Sequence, residues 1–334
     1  MASERAPRRR SLVYIVLASA VVMGGTGVGT AYVKAQAHAD VGRVSSAAAA
    51  PVAAGASEEA SVEPVADPTV EADPTVEPDT LLSEAMKPVT AAAEDGAEVS
   101  VAVLDVESGD HAAYGDGTFD TASIVKVDIL ATLLLQAQDE NRGLTAQEKQ
   151  YATAMIEVSD NASASALWTA IGKAEGLAAA NKRFGLTDTE GGTGMLWGLT
   201  QTTAADQLTL LQQVFAKNGA ASELSEASRT YLASLMGSIA EDQGWGVSAA
   251  GAVRTTGTAG GRFALKNGWL PRTATGLWDI NSVGRVTTAD GREFLVAVVS
   301  NGNTTKAKGI SLVESAARAA VSVFATESGT ADRS

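Results

Sequence analysis

Strand-type patterns stand at the two ends of the foldable part of this chain, and helical patterns fill the space between. Glu98–Glu107 reads as a strand, with a short return at Ala112–Tyr114 through Ser108-Gly109-Asp110. Three further strands are expected near the other end, at Arg262–Trp269, Gly276–Thr288 and Glu293–Ser300. Asp290-Gly291 is the hairpin turn between the last two, because glycine supplies the positive φ such a turn needs. Helical spacing of apolar residues runs from about Asp120 to Phe184, then over Thr203–Lys217 and Ser225–Ile239. A first helix starts at Asp79 or Thr80 as cap and carries Leu81, Leu82, Met86 and Val89. A last helix carries Ile310, Val313, Ala317, Val321 and Phe324 on one face. Strands from both ends can meet in one sheet. The predicted fold class is therefore α/β in the α+β sense: a five-stranded antiparallel sheet, the terminal helices on one face and an all-helical lobe on the other.

Composition removes several kinds of chemistry. The 334 residues include no cysteine and only two histidines, His38 and His111. Disulfides, thiolate metal sites and a cysteine nucleophile are excluded, and a multi-histidine zinc site nearly so. With 25 Lys+Arg against 39 Asp+Glu the net charge is −14, which argues against nucleic acid as a partner. No metal or organic cofactor is called for, and a monomer is the expectation.

The chain divides into four parts. Residues 1–37 combine Arg5, Arg8, Arg9 and Arg10 with an uncharged run over 11–33, which reads as an export signal or N-terminal membrane anchor. Ala35-Gln36-Ala37 offers a cleavage site for the first reading, and Arg9-Arg10 has the look of a twin-arginine signal. Both put the remainder outside the cytoplasm. Residues 38–80 are acidic and rich in Ala and Pro, with Ala66–Glu71 repeated as Ala72–Glu77. Such a segment cannot bury enough apolar surface to fold and reads as a disordered linker. Residues 81–326 are the folded body, and 327–334 a disordered tail.

Three short motifs carry polar chemistry. Ser123 and Lys126 stand three apart at a helix start, on one face. A serine hydroxyl needs a base to become a nucleophile, and a buried lysine with a lowered pKa is one. Ser159-Asp160-Asn161 falls between two helices, where all three residue types also cap well. Lys266-Asn267-Gly268-Trp269 ends an apolar strand, with a cation for a substrate carboxylate and a glycine that lets backbone come close.

In this order the motifs resemble the S-x-x-K, S-D-N and K-T-G set of class A β-lactamases and penicillin-binding proteins. The resemblance spans 81 to about 326 and implies a β-lactamase/transpeptidase-like serine hydrolase domain. It implies that Ser123 is acylated, that Lys126 is its base partner and that Ser159 carries a proton to the leaving nitrogen. Asn161 and Lys266, with Asn267 and Gly268, would bind substrate, and the backbone N–H groups of Ser123 and Trp269 would form the oxyanion hole. The substrate implied is a β-lactam or a peptidoglycan-like peptide.

Two departures stand out. Asn267 replaces the usual threonine, and Trp269 adds bulk beside the oxyanion position unless its indole turns outward. The loop 185–199 lacks the E-x-x-L-N of class A enzymes, leaving Glu190 as the candidate deacylation base. Three readings follow. The first is a serine β-lactamase working through a Ser123 acyl-enzyme. The second is a wall-directed D,D-peptidase or esterase that deacylates β-lactams slowly. The third is a tethered, non-catalytic wall-binding module.

Overall fold

The computed structural model describes residues 76–217, 220–251 and 263–324. The export segment expected over 1–37, most of the linker expected over 38–80, the strand start at Arg262 and the tail over 327–334 lie outside the described residues. Among the described residues no helix is long and apolar enough to cross a membrane.

Helix α1 (Pro78–Ala91) begins earlier than its apolar spacing suggests. Pro78 opens the first turn, where a missing N–H costs nothing and a fixed φ favours the helix. Residues 78–80, read as the end of the linker, are thus helical. Strands β1 (Glu98–Asp105) and β2 (His111–Tyr114) form the first hairpin. A two-residue strand β3 (Phe119–Asp120) and a 3₁₀ turn over Ala122–Ile124 lead into α2 (Val125–Asp139). Then come α3 (Ala146–Glu157), α4 (Asn161–Ala170) and α5 (Lys173–Phe184). A two-residue strand β4 (Gln201–Thr202) pairs with β3, and α6 (Ala204–Phe215) and α7 (Glu226–Gly237) complete the lobe. Strands β5 (Phe263–Pro271), β6 (Trp278–Thr287) and β7 (Glu293–Asn301) precede α8 (Lys306–Ser322).

The sheet is antiparallel in the order β2-β1-β7-β6-β5. The last strand of the chain therefore lies in the middle, hydrogen-bonded to β1 from the opposite end of the body. Side chains alternate along β7, so Leu295, Ala297 and Val299 face the helical lobe while Val296 and Val298 face α1 and α8. Two apolar cores result, one on each face of the sheet. Gly291, with φ +91°, makes the turn between β6 and β7.

Helix α2 runs through the first core and is buried over most of its length. Its buried leucines and isoleucine are each worth about 2 kcal/mol of transfer free energy, which fixes the helix and whatever side chains it carries at its start. It also carries Asp128 and Thr132 inward, toward Asn181 of α5. Neither oxygen of Asp128 has a hydrogen-bond partner. Burial pushes its carboxyl up to about 7; the nearby Asp206 charge adds to this, and Asn181 and Thr132 pull the other way.

Candidate active site

Ser123 lies in the 3₁₀ turn that precedes α2, two residues before the α-helix its spacing with Lys126 suggests. Ala122, just before it, holds φ +48°, a conformation costly for any residue with a Cβ. The turn is gripped from three directions. Thr121 donates its N–H to Thr200 O at 2.8 Å. Asn281 of β6 donates from Nδ2 to Asp120 O (2.8 Å) and Thr121 O (3.0 Å), while its Oδ1 accepts from Ser300 N at 3.0 Å. On the third side β5 lies against the turn at Gly268. A Cβ there would stand 2.7 Å from Thr121 O and 2.8 Å from Ser123 N, so no other residue fits. Ser123 itself is half-buried, and among the described residues its hydroxyl holds no hydrogen bond.

Lys126 is buried one helical turn on, beneath Ser123. Its Nζ donates to Ser159 O (2.7 Å), Ser159 Oγ (3.0 Å) and Asn161 Oδ1 (2.8 Å). Burial lowers its pKa to about 7, against an upward pull from Asp160. Ser159 reaches the lysine because its φ of +57° turns the chain sharply between α3 and α4. The motif divides its labour: Asp160 caps α4 by accepting from Ser163 N at 2.6 Å, which leaves Ser159 and Asn161 to the lysine.

Lys266 comes in from β5. Its Nζ donates to Ser159 Oγ at 3.1 Å, to Asn267 O at 3.1 Å and to Gln243 Oε1 at 3.4 Å. Burial, with the Lys126 charge beside it, lowers its pKa to about 7. One serine hydroxyl thus sits between two buried amines that both titrate near neutrality. Such an arrangement can take a proton from a nucleophile and hand it to a leaving group.

Alternation along β5 puts Asn267 and Trp269 on the face opposite Lys266 and Gly268. Asn267 Nδ2 donates to Gln243 O (2.8 Å) and Trp245 O (3.0 Å), so its amide hydrogens hold the 243–245 loop rather than face a ligand. The Trp269 ring packs against Trp245, centroids 6.0 Å apart, and does not crowd the Ser123 side. The outward-turned indole is the correct alternative for this residue.

Among the described residues Glu190 makes no hydrogen bond to Ser123, Lys126 or Ser159. Its backbone pairs with Gln201 in both directions at 2.9 Å, and its exposed carboxylate makes no hydrogen bond among the described residues. Gln201 in turn lies opposite Asp120, which pairs with Arg272. The residue of this loop that does reach the site is Trp197. Its ring centroid is 5.0 Å from Lys126 Nζ, and its Nε1 donates to Ser165 Oγ at 3.1 Å. Arg272 is tied to Asp120 and Asp279 and Arg285 to Glu293, and His111 is exposed on β2.

Sequence reasoning missed Gln243 and Asn281. Neither belongs to a motif, but an asparagine inside the apolar β6 pattern was a visible sign of a buried polar task.

A family model described as the beta-lactamase enzyme family matches residues 145–324, more than half of the chain, and includes Ser159, Asn161 and Lys266. No curated protein sequence matches. Among solved structures, a point mutant of PBP-A in an acyl-enzyme complex with penicillin G is similar at 20% identity and TM-score 0.60, covering 74% of this chain and 96% of that one. A class A β-lactamase from Bacteroides cellulosilyticus is similar at 15% identity and TM-score 0.61, covering 75% of this chain and 99% of that one. A β-lactamase from Chitinophaga pinensis follows at 17% and 0.59, covering 71% and 97%.

Proposed function

This chain belongs to the beta-lactamase enzyme family, and on that footing we propose that it is a serine hydrolase that opens β-lactam rings through an acyl-enzyme on Ser123. The observation that carries the reading is the shared hydroxyl: Lys126 Nζ and Lys266 Nζ both lie within 3.1 Å of Ser159 Oγ. Neutral Lys126 takes the Ser123 proton as Oγ attacks the lactam carbonyl. The developing oxyanion is met by the Ser123 N–H and by the Trp269 N–H on β5, the last strand of the sheet. As the C–N bond breaks, the proton passes from Lys126 through Ser159 to the ring nitrogen. Lys266 holds Ser159 in place, and Asn161 steadies Lys126. The PBP-A point mutant, solved as a penicillin G acyl-enzyme, lends the substrate class. The basic and apolar start of the chain supports an address outside the cytoplasm, anchored by 11–33 or freed near Ala37.

A specific observation favours slow deacylation, the mark of a wall-directed D,D-peptidase. Trp197 lies against Lys126, and among the described residues no carboxylate is hydrogen-bonded to Ser123, Lys126 or Ser159. Among the described residues no carboxylate is then tied to these groups, which supports slow attack of water on the ester. Intact-mass measurements on the full chain with benzylpenicillin, beside Ser123→Ala, decide the matter. An adduct on the wild type alone supports the acyl-enzyme. One that persists for hours favours the peptidase reading, and one that clears as product accumulates favours a β-lactamase. Absence of both adduct and hydrolysed product refutes the proposal.

A further inference from the structure

Asp120 stands three residues before Ser123, and each of its oxygens is committed. Its carbonyl accepts from Asn281 Nδ2 at 2.8 Å, its Oδ1 accepts from Gln201 Nε2, and its Oδ2 pairs with Arg272 Nη1. Arg272 stands three residues after Trp269, where β5 gives way to the turn toward β6; its N–H donates to Leu277 O at 2.8 Å and closes that turn. The same guanidinium lies 3.6 Å from Oδ2 of Asp279, a buried carboxylate on β6 whose Oδ2 holds no hydrogen bond among the described residues. Arg272 is thus held between two acids.

The pair of Arg272 with Asp120 is partly exposed, and ion pairs of that kind add little to stability. Its consequence is geometric. The turn that carries Ser123 and the strand that carries Trp269 supply the two N–H groups assigned above to the oxyanion, and the ion pair joins these elements across 152 positions of sequence. The two elements meet at Gly268, where a Cβ would stand 2.8 Å from Ser123 N. Asn281 holds the turn from β6, and Arg272 holds it from the end of β5 itself. With both anchors in place the turn cannot slide along β5 without breaking a charged contact. Donors aimed at a developing oxyanion are effective when their spacing is fixed beforehand. We propose that Arg272 is a positioning residue: through Asp120 it sets the distance between the Ser123 N–H and the Trp269 N–H, and so tunes the acylation step. It touches no reacting atom. This inference rests on the Ser123 acylation reading.

The test is a double-mutant cycle on the full chain: wild type, Arg272→Met, Asp120→Asn and the double variant, with Arg272→Lys beside them. Rapid-quench intact mass at rising benzylpenicillin concentration separates binding from the limiting acylation rate. Arg272→Met should lower the limiting rate about tenfold, since misplacing reacting groups by about 1 Å costs up to about a hundredfold. The half-saturating concentration, the fraction of protein that acylates and the pH midpoint set by Lys126 should stay as in the wild type. Arg272→Lys should recover most of the rate. The double variant should be no slower than the slower single variant, because both substitutions remove one contact. A merely structural role would lower the fraction that acylates instead of the rate. An unchanged limiting rate in Arg272→Met, or single effects that multiply in the double variant, overturns the proposal. If the wild type gives neither adduct nor hydrolysed product, the Ser123 reading fails, and hydrogen–deuterium exchange still reports on the clamp. Peptides covering 119–124 and 267–270 should then exchange faster in Arg272→Met and Asp120→Asn than in the wild type, with α3 unchanged; equal exchange overturns the role of Arg272.

Discussion

Asp128→Asn tests whether the helical lobe stores an electrostatic cost beneath the site. Asp128 is buried on α2, its oxygens lack hydrogen-bond partners, and burial raises its pKa from 3.8 to about 7. The folded state therefore favours the neutral acid, and the stability this confers is lost as pH rises from the unfolded value toward 7. Each pKa unit is worth about 1.4 kcal/mol, so above pH 7 the ionised carboxylate costs the fold about 4 kcal/mol. Asparagine keeps the shape and cannot ionise. Asp128→Asn should match the wild type near pH 4 and exceed it progressively up to pH 7, by a final margin equivalent to about 10 °C in melting temperature for a body of this size. Thermal unfolding followed by circular dichroism at pH 4, 5, 6, 7 and 8 measures the difference. Lys126 and Lys266 titrate in both proteins, so the subtraction isolates Asp128. A difference that does not change with pH, or a variant less stable at pH 8, would refute the reasoning.

Three further outcomes are expected. Gly268→Ala places a methyl 2.7 Å from Thr121 O and 2.8 Å from Ser123 N, both backbone atoms. It should cost about 1–3 kcal/mol in urea unfolding and lower the acylation rate more than the stability loss alone explains. Acylation needs neutral Lys126, whose pKa is about 7. The rate should therefore climb about tenfold per pH unit below 7 and flatten above, and a rate flat from pH 5 to 8 would exclude Lys126 as the base. Trp197→Ala removes the ring 5.0 Å from Lys126 Nζ. It should admit water and shorten the lifetime of the penicilloyl adduct by mass spectrometry; an unchanged lifetime would mean that Trp197 does not shield the ester.

Much of the architecture was legible because strand alternation and helical spacing are long-range patterns. The hairpin at Asp290-Gly291 and the pairing of strands from both ends of the body followed from them. β3 and β4 were not legible, since two residues carry no period. The start of α1 was misplaced because apolar spacing begins at Leu81 while Pro78 opens the turn. The Ser123, Lys126, Ser159, Asn161 and Lys266 group was legible as motifs, and the structure brings the last four into one hydrogen-bonded cluster, with Ser123 in the turn that leads into the helix of Lys126. The direction of the Trp269 ring was open in the sequence, though strand alternation decides it once Lys266 points inward. Glu190 drew attention as an acid in the right loop, yet its backbone ladder with Gln201 leaves its carboxylate exposed. Composition alone does not say which residue of a glycine-rich loop turns toward a lysine, and here it is Trp197.

The grip of Asn281 on the residues before Ser123 has a bearing on when the chain becomes reactive. The hydrogen bonds from Asn281 to Asp120 and Thr121 join positions 161 and 160 apart in sequence, and the one from Lys266 to Ser159 spans 107. A partly folded chain holds an ordinary serine and ordinary, fully charged lysines. On the Ser123 reading proposed above, acylating power would arrive only when the C-terminal strands dock, so reactivity would wait on the least local contacts of the site. A chain truncated before β6 would keep every residue from Ser123 to Lys266 and still be chemically silent.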